Sequence, residues 1–231
     1  MSTLDLFSLL GKTAVVVGGE GLLGKVACET VRELGGDVVS VDLHVGATYV
    51  RDITELSSVL DIDAYLPHID IVINCAIGNQ KPVTFPTSLW EKDIAIGLTG
   101  AANIFTGFRD KIIASKGVFL TIGSDLSLIA PDSERYDPLY KPLSYSVVKH
   151  GIVGMTRYYA ALWGKHGVRV NCLCPGGIEQ GQSVPRCPLE RLAQPHEMKG
   201  ALAFMISAAS SYMTGAIVVI DGGRTITTGK L

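Results

Sequence analysis

Short runs of β-branched and other apolar residues alternate along the chain with longer segments whose apolar residues recur at helical spacing. The short runs predict strands at residues 13–17, 38–41, 49–51, 71–74, 118–122, 168–173 and 217–220. The longer segments predict helices at residues 22–34, 55–66, 89–113, 144–165 and 195–209. Several strands are apolar throughout, which is typical of strands covered by helices on both faces. The alternation predicts an α/β fold, with a doubly wound parallel sheet of about seven strands in one domain spanning residues 1–231.

The composition excludes several classes of protein. Of the 231 residues, 47% are hydrophobic and 18% are charged, which excludes an intrinsically disordered chain. The net charge of −2 gives no basic surface for nucleic acid or an anionic membrane. Every apolar run ends before the roughly 18 residues that a membrane span requires, and the first residues lack the features of a signal peptide. We therefore expect a cytoplasmic protein with neither a nucleic-acid nor a membrane partner.

The cysteines give no indication of a metal site. The chain has five of them, at positions 28, 75, 172, 174 and 187, and none forms a CxxC pair. We expect them to be small buried residues in a reducing compartment, and we predict no bound metal.

Two irregular segments, at residues 130–142 and 178–194, are rich in proline and polar residues and follow predicted strands. In open α/β sheets the loops at the carboxyl ends of the strands form the ligand crevice. Both segments are therefore candidates for substrate contact, with an ordinary surface connection as the equal alternative.

A glycine-rich turn joins the first predicted strand to the first predicted helix. Gly18, Gly21 and Gly24 have the spacing G-x-x-G-x-x-G, with Leu22 and Leu23 between the last two. Glycines leave room for a pyrophosphate to approach backbone N–H groups at the positive end of a helix. Because the turn opens the first βα unit, it predicts the dinucleotide site of a Rossmann-type fold.

An acidic residue ends the second predicted strand. Asp42 lies 18 residues after Gly24, where a carboxylate can accept hydrogen bonds from both adenosine ribose hydroxyls of NAD. The 2′-phosphate of NADP would be repelled by Asp42 and by Glu20, at about 3 kcal/mol per contact before screening. We therefore predict NAD as the cofactor, although Asp42 is also compatible with a solvated carboxylate at a strand end.

Polar residues after the third and fourth strands fall on the same edge of the sheet. Asp52 and Ile53 follow the third strand, while Asn74 and Ala76 lie at the end of the fourth. We assign all four to the cofactor site. The carboxylate of Asp52 can hydrogen-bond the adenine amino group or cap the helix that follows, and the sequence does not separate these interpretations.

Tyr145 and Lys149 occupy positions i and i+4, on one face of a predicted helix. A phenol with a pKa near 10 is a poor acid–base catalyst at neutral pH. An ammonium about 4.5 Å away favours the phenolate by roughly 3–4 kcal/mol at an effective dielectric constant near 20. The pair therefore predicts a tyrosine that exchanges a proton with substrate.

Ser124 follows the fifth predicted strand, again at its carboxyl end. Its hydroxyl can donate a hydrogen bond to a substrate oxygen and hold that oxygen next to Tyr145. A serine at a strand end is more often a turn residue or a helix cap, and only the presence of Tyr145 and Lys149 favours the catalytic interpretation.

Taken in order, these motifs resemble the short-chain dehydrogenase/reductase family along essentially the whole chain. The matching segments are the glycine turn, Asp42, Asp52, Asn74-Cys75-Ala76, Ile122-Gly123-Ser124, Tyr145-x-x-x-Lys149, Val168-Arg169-Val170-Asn171, Pro175-Gly176-Gly177, Thr214-Gly215 and Asp221-Gly222-Gly223. The resemblance implies that Tyr145 is the general acid/base, that Lys149 binds the nicotinamide ribose and lowers the tyrosine pKa, and that Ser124 orients the substrate oxygen.

The resemblance also adds Pro175, Gly177 and Ile178 to the cofactor-binding residues. It implies a homodimer or homotetramer formed through the long helices near residues 89–113 and 144–165. The closest likeness within the family is to oxidoreductases of bacterial surface-polysaccharide and flagellin-sugar pathways.

Three features depart from the family pattern. The glycine spacing of the turn is similar to that of the extended branch of nucleotide-sugar epimerases and dehydratases. Gly97 stands where the family has a catalytic asparagine. The segment between Ser124 and Tyr145 is longer than usual, and its surplus at residues 132–140 includes Arg135, which could serve a sugar or phosphate, or could pack on a partner subunit.

The sequence thus predicts an NAD-dependent oxidoreductase that interconverts a secondary alcohol and a ketone on a polar, carbohydrate-like small molecule. One alternative is a 3-oxoacyl-thioester reductase. Another, motivated by Gly97, is a regulator that binds NAD without turnover.

Overall fold

Seven parallel strands form one sheet in the computed structural model, which describes residues 2–78, 89–132, 141–180 and 187–227. The strand order is β3-β2-β1-β4-β5-β6-β7. The strands are β1 Thr13–Val17, β2 Asp37–Asp42, β3 Tyr49–Val50, β4 Ile71–Asn74, β5 Val118–Ile122, β6 Arg169–Pro175 and β7 Ile217–Ile220. The predicted doubly wound sheet is therefore confirmed, with strand ends that differ from the prediction by at most two residues.

The apolar strands form the sheet because each contributes to a core on both of its faces. Successive side chains of a strand point to opposite sides. Val15 and Val17 of β1 belong to a core that includes Phe105 and Phe119. Ala14 and Val16 belong to a core on the other side, and both sets of side chains are essentially inaccessible to solvent. Because β1 lies between two cores, neither of its faces can be polar.

Helices cover both faces of the sheet. They are α1 Leu22–Glu33, α2 Leu56–Tyr65, α3 Trp90–Ile94, α4 Gly100–Gly107, α5 Arg109–Ala114, α6 Leu143–Trp163 and α7 Lys199–Ile206. The single helix predicted at residues 195–209 is wrong in extent, because α7 is flanked by the 3-10 turns Pro195–Met198 and Ala208–Ser210. Ser207 ends α7 with an extended backbone, and its hydroxyl accepts a hydrogen bond from the N–H of Ala209.

The long helix predicted at residues 89–113 is also interrupted. A π-helical turn, Ala95–Thr99, separates α3 from α4, and Phe108 separates α4 from α5 with a non-helical backbone. Gly97 lies inside the π turn and packs against α6. A Cβ atom at this glycine would lie 2.3 Å from Cγ1 of Val148, so a side chain there would force Val148 to shift.

The two predicted irregular segments fall partly outside the described residues. Residues 133–140, which hold Arg135 and most of the surplus segment, and residues 181–186 lie outside them. In the described part of the second segment, Ile178 and Ala193 form an isolated parallel bridge. Among the helices that the structure describes, none is long and apolar enough to cross a bilayer.

We expect Gly97→Ala to lower the free energy of unfolding by about 1–3 kcal/mol, because the new methyl group overpacks the contact with Val148. The double variant Gly97→Ala/Val148→Ala should recover part of this loss. Gly200→Ala is the control, since its methyl group would meet open space. Urea denaturation measures all three variants. A Gly97→Ala protein as stable as the wild type would contradict the close packing.

Candidate functional site

Two adjoining cavities lie at the carboxyl ends of the strands, and Gly21, Cys75 and Ile77 line both of them. The strand order reverses between β1 and β4, which is where open α/β sheets hold their ligands. Predicted site residues that line the first cavity are Gly21, Leu22, Leu23, Gly24, Ser124, Tyr145, Lys149, Pro175, Gly177 and Ile178. Those that line the second are Gly18, Asp42, Asp52, Ile53 and Ala76. Asn74 lines neither cavity.

The glycine turn leaves backbone groups open to the crevice. Gly18 has a φ of +74°, and a Cβ atom there would lie 2.8 Å from the backbone nitrogen of Ala76. A Cβ atom at Gly24 would lie 2.0 Å from the carbonyl oxygen of Gly18. Gly21 caps α1 without a side-chain hydrogen bond, so the start of the helix faces the cavity through backbone N–H groups. This geometry fits a pyrophosphate.

Asp42 lies at the edge of the second cavity with its carboxylate already oriented. One of its oxygens accepts a hydrogen bond from the backbone N–H of Glu20 at 3.0 Å, and the other lies 2.8 Å from Nδ1 of His44. Burial alone would raise the pKa of the Asp42 carboxyl. The hydrogen bonds from His44 and from backbone N–H groups outweigh burial and hold this pKa below its usual value. The carboxylate is therefore a fixed negative group.

The side chains of Asp52 and Asn74 form hydrogen bonds within their own turns. Asp52 Oδ1 accepts hydrogen bonds from the N–H and the hydroxyl of Thr54, which orders the turn before α2. The interpretation of Asp52 as the cap of α2 is wrong, because α2 begins after Glu55 and has no side-chain cap. Asp52 lines the second cavity, so its assignment to the cofactor site stays a prediction. The side chain of Asn74 accepts a hydrogen bond from the N–H of Ala76 at 3.1 Å. Asn74 therefore shapes the turn that contacts Gly18, and its assignment to the cofactor site stays a prediction.

Lys149 is a buried cation at the base of the first cavity, with 3% of its surface exposed. Its Nζ donates a hydrogen bond to the carbonyl oxygen of Ile122, the last residue of β5, at 2.7 Å. Desolvation lowers the pKa of the lysine to about 8, against opposing electrostatic effects of nearby cysteine thiols. Two of those thiols, on Cys172 and Cys174, lie 3.7 Å apart on one face of β6.

Tyr145 lies one helical turn before Lys149 on α6, and both residues line the first cavity. The Nζ atom of Lys149 is 5.8 Å from the centroid of the tyrosine ring. A second ammonium, that of Lys141, lies 4.3 Å from the same centroid. Two ammonium groups thus lie close to the aromatic ring of Tyr145.

Ser124 lies two residues after the end of β5, on the wall of the cavity that Tyr145 also lines. It also caps a 3-10 turn, so the expected alternative of a helix cap holds as well. Its hydroxyl donates to Oδ1 of Asp125 at 2.9 Å. The other oxygen of Asp125 pairs with Nη1 of Arg224 at 2.7 Å.

Three charged residues of the cavity wall were missed in the sequence: Lys141, Asp125 and Arg224. Lys141 lies just before α6, outside the helix, so the helical spacing that selects Lys149 does not indicate it. Arg224 is 99 residues from Asp125, and no local pattern connects them. In the part of the chain that the structure describes, no cluster of three or more metal-ligating side chains occurs.

The amino-acid sequence matches a protein-family model and individual proteins of known activity. A sequence model described as Enoyl-(Acyl carrier protein) reductase matches residues 13–225. The chain is 28% identical to the NAD-dependent glycerol dehydrogenase of Listeria innocua, covering 95% of this chain and 96% of the relative. It is 29% identical to the D-threitol dehydrogenase of Mycolicibacterium smegmatis, covering 95% of each protein.

Solved structures share the fold over their full length. A short-chain dehydrogenase/reductase of Mycobacterium marinum has a TM-score of 0.87 at 28% identity, covering 98% of this chain and 100% of that one. A short-chain dehydrogenase of Leptospira borgpetersenii with bound NAD+ has a TM-score of 0.84 at 27% identity, covering 97% and 96%. A gluconate 5-dehydrogenase of Burkholderia cenocepacia, in complex with NADP and tartrate, has a TM-score of 0.85 at 25% identity, covering 98% and 100%.

These matches extend over nearly the whole chain, and they agree with the glycine turn, the Tyr145–Lys149 pair and the strand order described above. The chain belongs to the short-chain dehydrogenase/reductase family.

Proposed function

We propose that this oxidoreductase uses NAD to interconvert a secondary alcohol and a ketone on a polar, carbohydrate-like substrate. The observation that carries the proposal is the shared cavity of Tyr145, Lys149 and Ser124, which adjoins the open glycine turn. A bound nicotinamide supplies or accepts the hydride. The chain's own residues have to hold the two molecules and move the proton.

Each of the three side chains has a distinct task in this proposal. The phenolate of Tyr145 takes the proton of the alcohol during oxidation, and the phenol returns it during reduction. The ammonium of Lys149 stabilises the phenolate and hydrogen-bonds the nicotinamide ribose. Ser124 fixes the position of the substrate oxygen beside Tyr145. Gly97 offers no amide for a proton relay, so protons would reach Lys149 through backbone groups and solvent.

The choice of NAD rests on the negative groups around the second cavity. Asp42 and Glu20 both line it, and a 2′-phosphate would lie against two carboxylates. Arg51 is the one arginine among the residues lining this cavity. Family members of known structure bind either cofactor, as the Leptospira and Burkholderia proteins show. The fixed carboxylate of Asp42 favours the ribose hydroxyls of NAD.

The polar lining of the first cavity supports the substrate class. Lys141, Gln180 and Arg224 line it together with Ser124, which suits a molecule with several hydroxyl or carboxylate groups. The names of the relatives point the same way, since they act on glycerol, threitol and gluconate. A 3-oxoacyl-thioester substrate would leave these polar groups without matching partners.

We also propose that two or more copies associate through α4 and α6. Tyr158 and Leu162 project from α6 with 64% and 45% of their surfaces exposed. Large apolar side chains on one exposed face are typical of a protein–protein interface. Light scattering should give a mass of twice or four times 24.6 kDa, and a monomer mass would contradict this proposal.

Replacing Tyr145 by phenylalanine tests the proposed function. We expect kcat to fall at least a hundredfold on any polyol or sugar acid that the wild type oxidises, because the proton acceptor is lost. The dissociation constant of NAD should stay within about threefold of the wild-type value. Tyr212→Phe is the matched control and should keep full activity, since the side chain of Tyr212 is fully exposed and lines neither cavity. Wild-type turnover by Tyr145→Phe would refute the mechanism.

A second variant tests the cofactor. Asp42→Asn keeps the shape of the side chain and removes its charge, so repulsion of the 2′-phosphate should weaken by about 1–3 kcal/mol after screening. We expect the ratio of the NADP to the NAD dissociation constant, measured by fluorescence titration, to fall about tenfold or more. Asp37→Asn is the control, because Asp37 is exposed at the far end of β2. Tighter binding of NADP than of NAD by the wild type would overturn the proposal.

A further inference from the structure

Arg224 is a buried arginine in the wall of the first cavity, with 8% of its side chain exposed. It lies on the 3-10 turn that follows β7. The carboxylate of Asp221 orders this turn by accepting hydrogen bonds from the N–H groups of Gly223 and Thr225. The guanidinium is therefore held at the carboxyl edge of the sheet, where the proposed substrate has to lie.

The guanidinium of Arg224 uses only one of its nitrogens within the protein. Nη1 lies 2.7 Å from Oδ2 of Asp125, and neither Nε nor Nη2 makes a hydrogen bond in the part of the chain that the structure describes. Neither nitrogen is shut away from solvent, because the one fully buried side-chain N or O atom without a partner among the described residues is Oδ1 of Asp63. Solvent therefore reaches the Nε–Nη2 edge of Arg224, and the first cavity is the space that this residue lines.

An open guanidinium edge has a specific chemistry. The N–H groups of Nε and Nη2 lie side by side in one plane, and their spacing matches two oxygens of a carboxylate or a phosphate. The pair with Asp125 uses a single charge, which a lysine could supply as well. Buried pairs also contribute little net stability, because desolvation offsets their attraction. The ion pair thus accounts for Nη1 of Arg224 and leaves the Nε–Nη2 edge without a role.

The charges of the first cavity favour an anion. Among the described residues that line it, Lys141, Lys149 and Arg224 are cations, and Asp125 is the one carboxylate. Both oxygens of Asp125 already accept hydrogen bonds, Oδ1 from the N–H of Leu126 at 2.7 Å and Oδ2 from Arg224. With 4% of its side chain exposed, Asp125 presents little negative surface to a ligand. An anionic group in this cavity therefore meets more positive than negative charge.

We propose that Nε and Nη2 of Arg224 bind an anionic group of the substrate, so that the site prefers a sugar acid or a sugar phosphate over the neutral polyol of the same carbon skeleton. The inference rests on the proposed function and narrows its substrate class. Ser124 Oγ lies 2.9 Å from Oδ1 of Asp125, so this one carboxylate separates the guanidinium from the serine that holds the reacting oxygen. The anionic group therefore belongs to the reacting molecule, a few bonds from the carbon that is oxidised.

The test measures the binding of matched ligands without reaction. The wild-type protein is saturated with NADH, which cannot accept a hydride from an alcohol. Calorimetry then gives dissociation constants for D-gluconate with D-glucitol, D-galactonate with galactitol, and D-threonate with D-threitol. The members of each pair differ at one carbon, which carries a carboxylate or a hydroxymethyl group. D-glucitol 6-phosphate adds a phosphate to the first skeleton and distinguishes the two kinds of anion. We expect at least one of these anions to bind about tenfold more tightly than its polyol, or tighter still.

Two variants isolate the role of Arg224. Arg224→Lys keeps a charge for Asp125 and removes the two-nitrogen edge, so the preference for the anion should fall about fivefold or more. The dissociation constants of the polyol and of NADH should stay within about threefold of the wild-type values. Asp125→Asn/Arg224→Gln removes both charges, and the preference should disappear. Arg32→Lys is the matched control and should keep it, since Arg32 is exposed in the last turn of α1 and lines neither cavity.

The wild-type measurements alone can overturn the inference. Anions that bind no more tightly than their polyols, or a panel in which no anion binds, would refute it. A folded Arg224 variant that keeps the wild-type preference would do the same, and thermal melts together with NADH binding identify any variant that has not folded. The proposed function fails separately, since it requires that the wild type transfer no hydride between NAD and any polyol, sugar or sugar acid.

Discussion

A single buried ammonium group joins the fold to the proposed chemistry. Lys149 extends from α6 under the crevice, and the last carbonyl group of β5, that of Ile122, accepts its hydrogen bond. Burying a cation away from water costs free energy, and this desolvation lowers the pKa of Lys149 to about 8. The fold tolerates it because the group meets a carbonyl below and a tyrosine one turn away. Moving β5 relative to α6 would break the hydrogen bond between Lys149 and Ile122.

The rest of the crevice follows from the same sheet edge. The glycine turn after β1, the turn of Asn74 after β4 and the turn of Ser124 after β5 all lie at carboxyl ends of neighbouring strands. Parallel pairing therefore brings residues from distant parts of the sequence to the same edge of the sheet. The dinucleotide site and the proton-transfer site adjoin for this reason, and Gly21 lines both cavities.

Most of the fold and of the proposed site could be predicted from the sequence, because both depend on local residue patterns. A strand that is apolar on both faces can only lie between two layers, and the i, i+4 spacing of Tyr145 and Lys149 survives in any helix. The failures are contacts between distant residues. The π turn at Gly97 depends on Val148 of another helix, and Asp125 meets its arginine only after the chain has crossed the whole sheet. The side chain of Asn74 turned to its own backbone, which spacing alone does not reveal.

The titration of Lys149 tests the account most directly. Protein labelled with [13Cε]lysine, with the signal of Lys149 assigned from a Lys149→Arg variant, can be followed by NMR as the pH is raised in the absence of cofactor. A desolvated ammonium held by Ile122 predicts a pKa near 8, well below the ordinary lysine value of 10.5. A pKa at or above that ordinary value would place Lys149 in water or against a carboxylate, and it would contradict the buried ammonium on which the account depends.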